Sequence, residues 1–303
     1  MKHTQIFWLH TLSPTHVGTG QDVGYIDLPI QRDKVTGWPL IPASAFKGVW
    51  ADHYGATEAK RNSDNYLRLA FGRASDRDSK ESNAGALIPT DARLVCLPVR
   101  SFQGTFAWCT SQLALQLLHR DLSLAGMADL PPIPPAVAEN HIHRTTNTKL
   151  EDNGRIFLED LDFEGNECPV ATAWAKRLGD WIFAGDEDKA WRDRFVERFA
   201  ILPNAIFDFL TETGTEVSTR VKIDDNFKTV ATGQLWNEEA LPAETILSGL
   251  ICCDRIYTPN ADVTPDDLIR KFASETLALQ IGGKASVGRG RVRCVFSHTS
   301  EGR

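Results

Sequence analysis

Apolar residues fall along this chain in two rhythms, one of period two and one of period three to four. Gln5 to Leu12 (QIFWLHTL) is dense in aromatic and branched side chains and predicts an opening strand. Thr15 to Gly24 is polar and glycine-bearing and predicts a loop, followed by a short extended piece over Trp38 to Pro42. A helix is expected to start near Ser44, with Phe46, Val49, Trp50 and His53 forming one apolar stripe. Arg61 to Gly85 is polar, loses its period after Phe71, and predicts a surface loop. Ala92 to Val99 returns to strand character, and Ser111 to Arg120 predicts a short helix. Asp129 to Pro135 (DLPPIPP) predicts a stiff linker. Helical periodicity follows over Ala171 to Phe183 and over Asp188 to Phe199, the latter striped by Trp191, Phe195 and Phe199. A short helix around Asn204 to Leu210 and strands near Val217 to Ile223 and Thr245 to Ile256 come next. A helix from about Pro265 to Leu279 and a last strand, Arg291 to His298, complete the pattern. Strands first and last with helices between predict an α+β sandwich.

Composition narrows this picture. The 303 residues suit one large domain or two small ones. The six cysteines are scattered without a C-x-x-C pair, as expected for small buried hydrophobes in a reducing compartment. No apolar run is long enough to span a bilayer, and the first residues read as a strand rather than a secretory leader. A cytoplasmic location without a membrane partner is expected. The net charge of −7 argues against promiscuous nucleic-acid binding. Its distribution changes the picture. No acid lies between Glu275 and Glu301, where Lys284, Arg289, Arg291 and Arg293 fall. Between Leu28 and Trp50 the only acid is Asp33, set among Arg32, Lys34 and Lys47. Two local basic strips on an acidic protein suit one RNA strand held in a groove.

The candidate chemistry is sparse. Asp27, in YIDLPIQRD, has no carboxylate two or four residues away to build an acid/base pair or a metal cage. On the residues alone it reads as a turn aspartate. His16 is a loop histidine able to orient a phosphate, to serve as an acid, or to bond the backbone. Glu238 and Glu239 are auxiliary acids or a solvated acidic pair. Lys47 with Ser44, in a helix's first turn, forms a phosphate cradle or a solvated helix start. Gly282-Gly283-Lys284 through Arg289-Gly290 carries four glycines, more than a turn needs, and predicts close backbone approach to RNA. It fails as a Walker loop because Ala follows Lys284. A helix before it and a strand after it also exclude a dinucleotide fingerprint. His141 and His143 share one face of a strand with His119 upstream, and no acid or cysteine completes a metal site there.

A resemblance adds to this reading. Ser13-Pro14-Thr15-His16, Gly18-Thr19-Gly20, Gly24, Asp27, Pro29 through Asp33, Thr36-Gly37, Pro39 and Ser44 through Gly48 resemble the N-terminal signature of the RAMP superfamily of CRISPR-associated proteins. More narrowly, they resemble the backbone subunit of type III-B (Cmr) RNA-targeting complexes. Leu158 to Glu164, Arg220 to Thr245 and the C-terminal glycine loop match as well, so the resemblance runs through nearly the whole chain. It implies a single RAMP domain over 1–303: a modified ferredoxin-like (RRM-like) palm with helical or loop insertions near 55–90 and 125–215. A β-hairpin thumb near 217–237 and the glycine loop at 282–290 complete it. It implies that Asp27 cuts bound target RNA, by accepting the 2′-hydroxyl proton or by holding a divalent metal (Mg or Mn) shared with RNA phosphates. His16 and Glu238 would assist. Ser44, Lys47, Arg32, Lys34, Gly282, Gly283, Lys284 and Arg289 would hold RNA. The implied partners are guide RNA, single-stranded target RNA, further copies stacked head to tail, and other Cmr-complex subunits. A non-catalytic RNA scaffold and a guide-precursor-processing ribonuclease of the same superfamily are the alternatives.

Overall fold

In the computed structural model, residues 3–20, 25–74, 82–223, 230–258 and 261–297 are described. Strand β1 (Thr4–Thr11) is buried at every position. The cause is its place in the molecule: Phe7 and Leu9 face one hydrophobic core, Ile6 and Trp8 another. Period two therefore feeds both faces of one strand. Strand β2 (Leu40–Ile41) leads into helix α1 (Ala43–His53). Phe46 stacks on Phe7 at 4.3 Å, and the Trp50 indole donates to the Phe272 carbonyl at 3.0 Å. The expected stripe shifts by a fraction of a turn, because Phe46, Trp50 and Ala51 are buried whereas His53 is exposed.

Where a surface loop is expected after Arg61, the chain first forms a pair of helices, α2 (Glu58–Ser63) and α3 (Asn65–Phe71). Thr57 and Asp64 cap them through their side chains. Leu67, Leu69, Ala70 and Phe71 bury against α1, which a polarity count over the whole stretch conceals. Strands β3 (Ile88–Pro89), β4 (Ala92–Arg100) and β5 (Phe106–Ser111) then precede α4 (Gln112–Leu124), whose Ala114 amide is capped by Ser111.

The region 125–215, expected as helix and loop, holds three α-helices and also extends the sheet. It contributes β6 (His141–Arg144), β7 (Glu151–Asp152), β8 (Arg155–Leu158) and β9 (Leu161–Glu167). Helices α5 (Pro169–Ile182) and α6 (Lys189–Glu197) follow, then β10 (Phe199–Leu202) and α7 (Asn204–Thr213). Phe199 thus belongs to a strand, and of the Trp191–Phe195–Phe199 stripe only Phe195 is buried helix. Strands β11 (Glu216–Ile223) and β12 (Val230–Ala240) form a separate antiparallel hairpin; its 224–229 tip lies outside the described residues.

Strand β13 (Ile246–Cys252), helix α8 (Pro265–Phe272), strand β14 (Leu277–Gln280) and strand β15 (Arg291–Ser297) close the chain. The helix expected to reach Leu279 stops at Phe272, because Leu277 and Leu279 alternate buried with exposed Ala278 and Gln280 as β14 pairs β15. A strand, not a helix, therefore precedes the glycine loop.

The main sheet runs β14-β15-β1-β13-β4-β5-β10-β6-β9-β8-β7, with β2 and β3 on its margins. Its pairs are antiparallel except β5 with β10 and β6 with β9. The architecture is mixed α+β around a large, mostly antiparallel sheet. One face packs on α1, α3 and α8, the other on α4, α5 and α6. No helix among the described residues is long and apolar enough to cross a membrane. All six cysteines are free; burial pushes Cys96 and Cys294 well above the usual thiol range and Cys253 up to about 11.

Candidate active site

Strand β12 organises the site with the edge that β11 leaves open. Segment 27–30 lies along that edge in parallel. Asn237 N–H donates to Asp27 Oδ2 at 2.7 Å; Leu28 N–H donates to the Asn237 carbonyl at 3.1 Å. Glu239 N–H donates to the Leu28 carbonyl at 3.0 Å, and His16 Nδ1 donates to the Glu239 carbonyl at 2.6 Å. The Asp27 carboxylate and the His16 imidazole thus sit on one strand edge, two residues or roughly 7 Å apart along the strand. Asp27 is exposed and His16 buried. The two residues share one loop system in the sequence, but the β12 residue that holds Asp27 comes 210 positions later.

Two glycines pack against His16 where any side chain would collide with it. A side chain at Gly18 would begin 2.7 Å from His16 Nε2, so this glycine leaves that nitrogen uncovered. Gly282 lies at φ +83°, and a Cβ there would stand 2.2 Å from the His16 carbonyl, which accepts from Gly283 N–H at 2.9 Å. Gly290, at φ +79°, would likewise place a Cβ 2.2 Å from the Ile281 carbonyl. At 282 and 290 the close backbone approach that the glycines permit is to the chain's own main chain.

The acids after the hairpin are not a solvated pair. Strand alternation sends them to opposite faces, and both are buried, at 1% and 2% exposure. Glu238 faces the glycine loop. Its Oε1 lies 3.0 Å from Arg289 Nε, in an ion pair too bent for a hydrogen bond, and its Oε2 lies 3.6 Å from Lys284 Nζ. Lys284 Nζ also stands 5.8 Å from the centre of the Trp236 ring. Glu239 accepts from Arg32 Nη2 at 2.6 Å, Thr215 Oγ1 at 2.8 Å and Ile30 N–H at 3.0 Å.

These pairs correct three expectations. Arg289 is buried, with Glu216 and Ser218 as further neighbours, and its charge is spent inside the molecule rather than on RNA. Arg32 bonds Glu239 and the carbonyls of Gly37 and Thr211, so it is a structural cation. Glu238, buried between cations, holds the hairpin to the loop and is not placed to take a substrate proton. Arg293 of the same basic strip is also committed, 2.5 Å from Asp188.

Lys47 is different. It is half-buried as the fifth residue of α1, just beyond the first turn in which the sequence reading places it, and no hydrogen bond or ion pair engages it among the described residues. Burial first, and the Arg61 charge second, push its ammonium below the usual lysine range. Desolvation and a neighbouring cation both disfavour its charged form. Ser44 is exposed, while the first amide of the helix, Ala43 N–H, is already taken by Asp91 at 2.7 Å. Lys34 is exposed on a turn built by Asp33, which accepts from Val35 N–H and Thr36 N–H. The Thr36 N–H bond above all holds the Asp33 carboxyl below its usual range.

A metal finds one protein ligand here. Asp27 Oδ2 is engaged by Asn237, and among the described residues no group of three or more His, Cys, Asp or Glu side chains converges. Asp27 fits a magnesium-type ion only if RNA phosphates and water complete the shell, which is a common arrangement for that ion. His141 and His143 lie on β6 as expected; His141 Nε2 stands 3.2 Å from Glu164, and among the described residues no metal cluster forms around them.

Sequence reasoning missed Asn237, Thr215, Arg61 and the role of Glu239. The one available signal for Glu239 was two adjacent acids embedded between Leu235-Trp236 and Ala240-Leu241. A charged pair in an apolar strand implies buried partners.

Comparison with known proteins places the fold. Residues 8–293 match the RAMP superfamily. The "CRISPR system Cmr endoribonuclease Cmr4" of Pyrococcus furiosus is 31% identical over 300 residues, covering 96% of this chain and 95% of that protein. The crystal structure of oligomeric Cmr4 from Pyrococcus furiosus superposes with a TM-score of 0.73 at 25% identity, covering 98% of both chains. A subunit of a type III-B Cmr-beta complex bound to cognate target RNA shares the fold, with a TM-score of 0.70 at 20% identity over 97% and 96% of the two chains. With a match that spans nearly its whole length, this chain belongs to the RAMP superfamily.

Proposed function

We propose that this chain is the guide-RNA-binding backbone subunit of a type III-B CRISPR effector complex and that it cleaves the paired target RNA at regular intervals. The observation that carries the reading is the open edge of β12, which presents an exposed carboxylate and a pinned imidazole about one phosphodiester apart. The full-length likeness to a Cmr endoribonuclease supports it.

In this reading, Asp27 accepts the proton of the target 2′-hydroxyl as its oxygen attacks the adjacent phosphorus. The bond to the 5′-oxygen breaks, giving a 2′,3′-cyclic phosphate and a 5′-hydroxyl. Nδ1 of His16 is committed to a carbonyl, so Nε2 faces the groove. It orients the phosphate, or in the protonated ring supplies the leaving oxygen's proton. In-line geometry imposed by the paired strand lowers the demand on both groups. Asp27 is also the residue that would hold Mg or Mn, which supplies Lewis-acid stabilisation of the phosphorane charge.

Lys47, with Ser44 and the outward Lys34, is read as holding guide backbone. Hairpin β11–β12 is read as the thumb. Its face bearing exposed Val217, Val221 and Leu235 lies on the side of Asn237, the residue that holds Asp27, and would face the target. The half of the sheet from β14 to β4 with α1 and α8 is read as the ferredoxin-like palm. Copies would stack head to tail, a heterologous contact that propagates along RNA, with other Cmr subunits at the ends. A cytoplasmic location goes with this set of partners.

The test is target cleavage by the complex reconstituted on guide RNA, comparing parent with Asp27→Asn, in magnesium or manganese and in chelator. Regular cuts that fall by about 10²–10⁴-fold in Asp27→Asn, with target binding kept, are expected. Binding without cuts in the parent would leave a scaffold. Equal cutting by both would put the chemistry elsewhere, and cutting of guide precursor by the isolated chain would favour a processing enzyme.

A further inference from the structure

The ladder between segment 27–30 and β12 contains a substitution. In a parallel ladder every second residue of one strand bonds two residues of the other, evenly spaced. Leu28 does this with Asn237 and Glu239. Continued, the next bond would run from Ile30 N–H to the Glu239 carbonyl. Instead that carbonyl accepts from His16 Nδ1 at 2.6 Å, and Ile30 N–H turns to the Glu239 carboxylate, Oε2, at 3.0 Å. The other carboxylate oxygen is held by Arg32 at 2.6 Å and Thr215 at 2.8 Å. The carboxylate is 2% exposed and cannot be replaced there by bulk water.

We propose that Glu239 is a positioning residue. Its side chain takes the Ile30 amide away from its own main-chain carbonyl, which is thereby free to hold His16 in the Nδ1–H form with Nε2 open to the substrate. The proposal rests on the reading of Asp27 and His16 as the reacting pair. A carbonyl only accepts, so the nitrogen facing it carries the hydrogen and the neutral ring keeps its lone pair on Nε2. A carbonyl has two lone pairs, but sharing this one would draw Ile30 toward β12. Gln31 N–H bonds the Val17 carbonyl at 2.8 Å and Thr19 N–H bonds the Pro29 carbonyl at 3.1 Å. Movement of Ile30 would therefore drag the loop that bears His16. Arg32 and Thr215 keep the carboxylate from following, and Thr215 stands at the foot of the thumb. One side chain thus ties thumb, Asp27 segment and His16 loop into one geometry.

Glu239→Gln removes one acceptor and confronts either Ile30 N–H or the Arg32 and Thr215 donors with an amide NH2. In complex assembled on guide RNA, the single-turnover cleavage rate is expected to fall by about 10- to 100-fold, the scale of a small misplacement. Target affinity should stay within about twofold, on the same argument that positioning acts on rate and not on binding. In the isolated chain, ¹⁵N NMR of His16 should report the Nδ1–H form in the parent and a mixture of tautomers in the variant. Arg32→Lys and Thr215→Val loosen the same carboxylate without removing it, and should show the same split at smaller amplitude even where Glu239→Gln does not fold. Unchanged tautomer and rate, or a rate that falls only in step with target affinity, overturns the proposal. If His16→Ala and Asp27→Asn both cut like the parent, the reading of the reacting pair has failed instead, and the NMR comparison still decides what Glu239 does to His16.

Discussion

The cations of the two basic strips look alike in sequence and divide in the fold into a paired group and an uncompensated one, a division that runs through the first strip itself. At the hairpin base, Arg32 and Arg289 meet the buried acids Glu239 and Glu238, and Lys284 leans on the second of these. At the start of α1, Lys47 sits half-buried beside Arg61 and has no acid partner among the described residues. The first group is glue for the scaffold that carries Asp27 and His16. The second is a charge that the described residues leave uncompensated. A count of basic residues therefore overstates the RNA-facing charge, because pairing cancels some of it.

The sharpest break of this contrast is Glu238→Ala. It strands Arg289 in the interior with only Glu216 at 3.9 Å as an ion-pair partner among the described residues, and removing one side of a buried pair costs about 3–5 kcal/mol. Denaturant unfolding of the RNA-free protein measures it. A loss below about 1 kcal/mol, the value of an exposed pair, would show that water replaces the acid and that the base is not dry. Next comes the glycine loop. Gly282→Ala is expected to cost about 3 kcal/mol, the upper end for a strained backbone position, since its Cβ meets the His16 carbonyl. Gly288→Ala, at φ +82° but facing open space, should cost about 1 kcal/mol. Equal midpoints in thermal unfolding would mean that the loop can lift off His16.

The smallest effect sharpens the other side. Lys47 has a folded pKa below its unfolded value, so between those values the unfolded chain binds more protons and stability rises with pH. Its charge is a burden on the free protein below the folded pKa, relieved as pH climbs toward 10.5. Lys47→Met should therefore stabilise the RNA-free protein at neutral pH, with the gap over the parent closing at alkaline pH. The same variant should weaken RNA binding and lower the logarithmic salt slope by about 0.7, the loss of one single-strand phosphate contact. A variant that is less stable at neutral pH, or an unchanged slope, would return Lys47 to the role of an ordinary helix lysine.

Much of the fold was legible because secondary structure answers to short-range periodicity. The opening strand, the helix at Phe46 and Trp50, the strand near Val217 and the last strand all announce themselves within about ten residues. The misreadings share one cause. Leu277 to Gln280 and Phe199 to Leu202 are strands because β15, β5 and β6 offer them partners, and a few residues of apolar pattern fit helix and strand alike. Arg61 to Phe71 was hidden by averaging two capped helices with the polar stretch behind them.

The site divides in the same way. The sequence by itself determined that Asp27, His16 and Lys47 stand in segments matching a family signature, and that glycines flank two of them. Only the tertiary structure decided which of the charged residues remain available. Glu239 reaches Arg32 across 207 positions and Asn237 reaches Asp27 across 210. The strength of an ion pair depends on distance and on exclusion of water, and neither is written in local order. The chain could state which charges it carries; folding chose which of them to spend on itself.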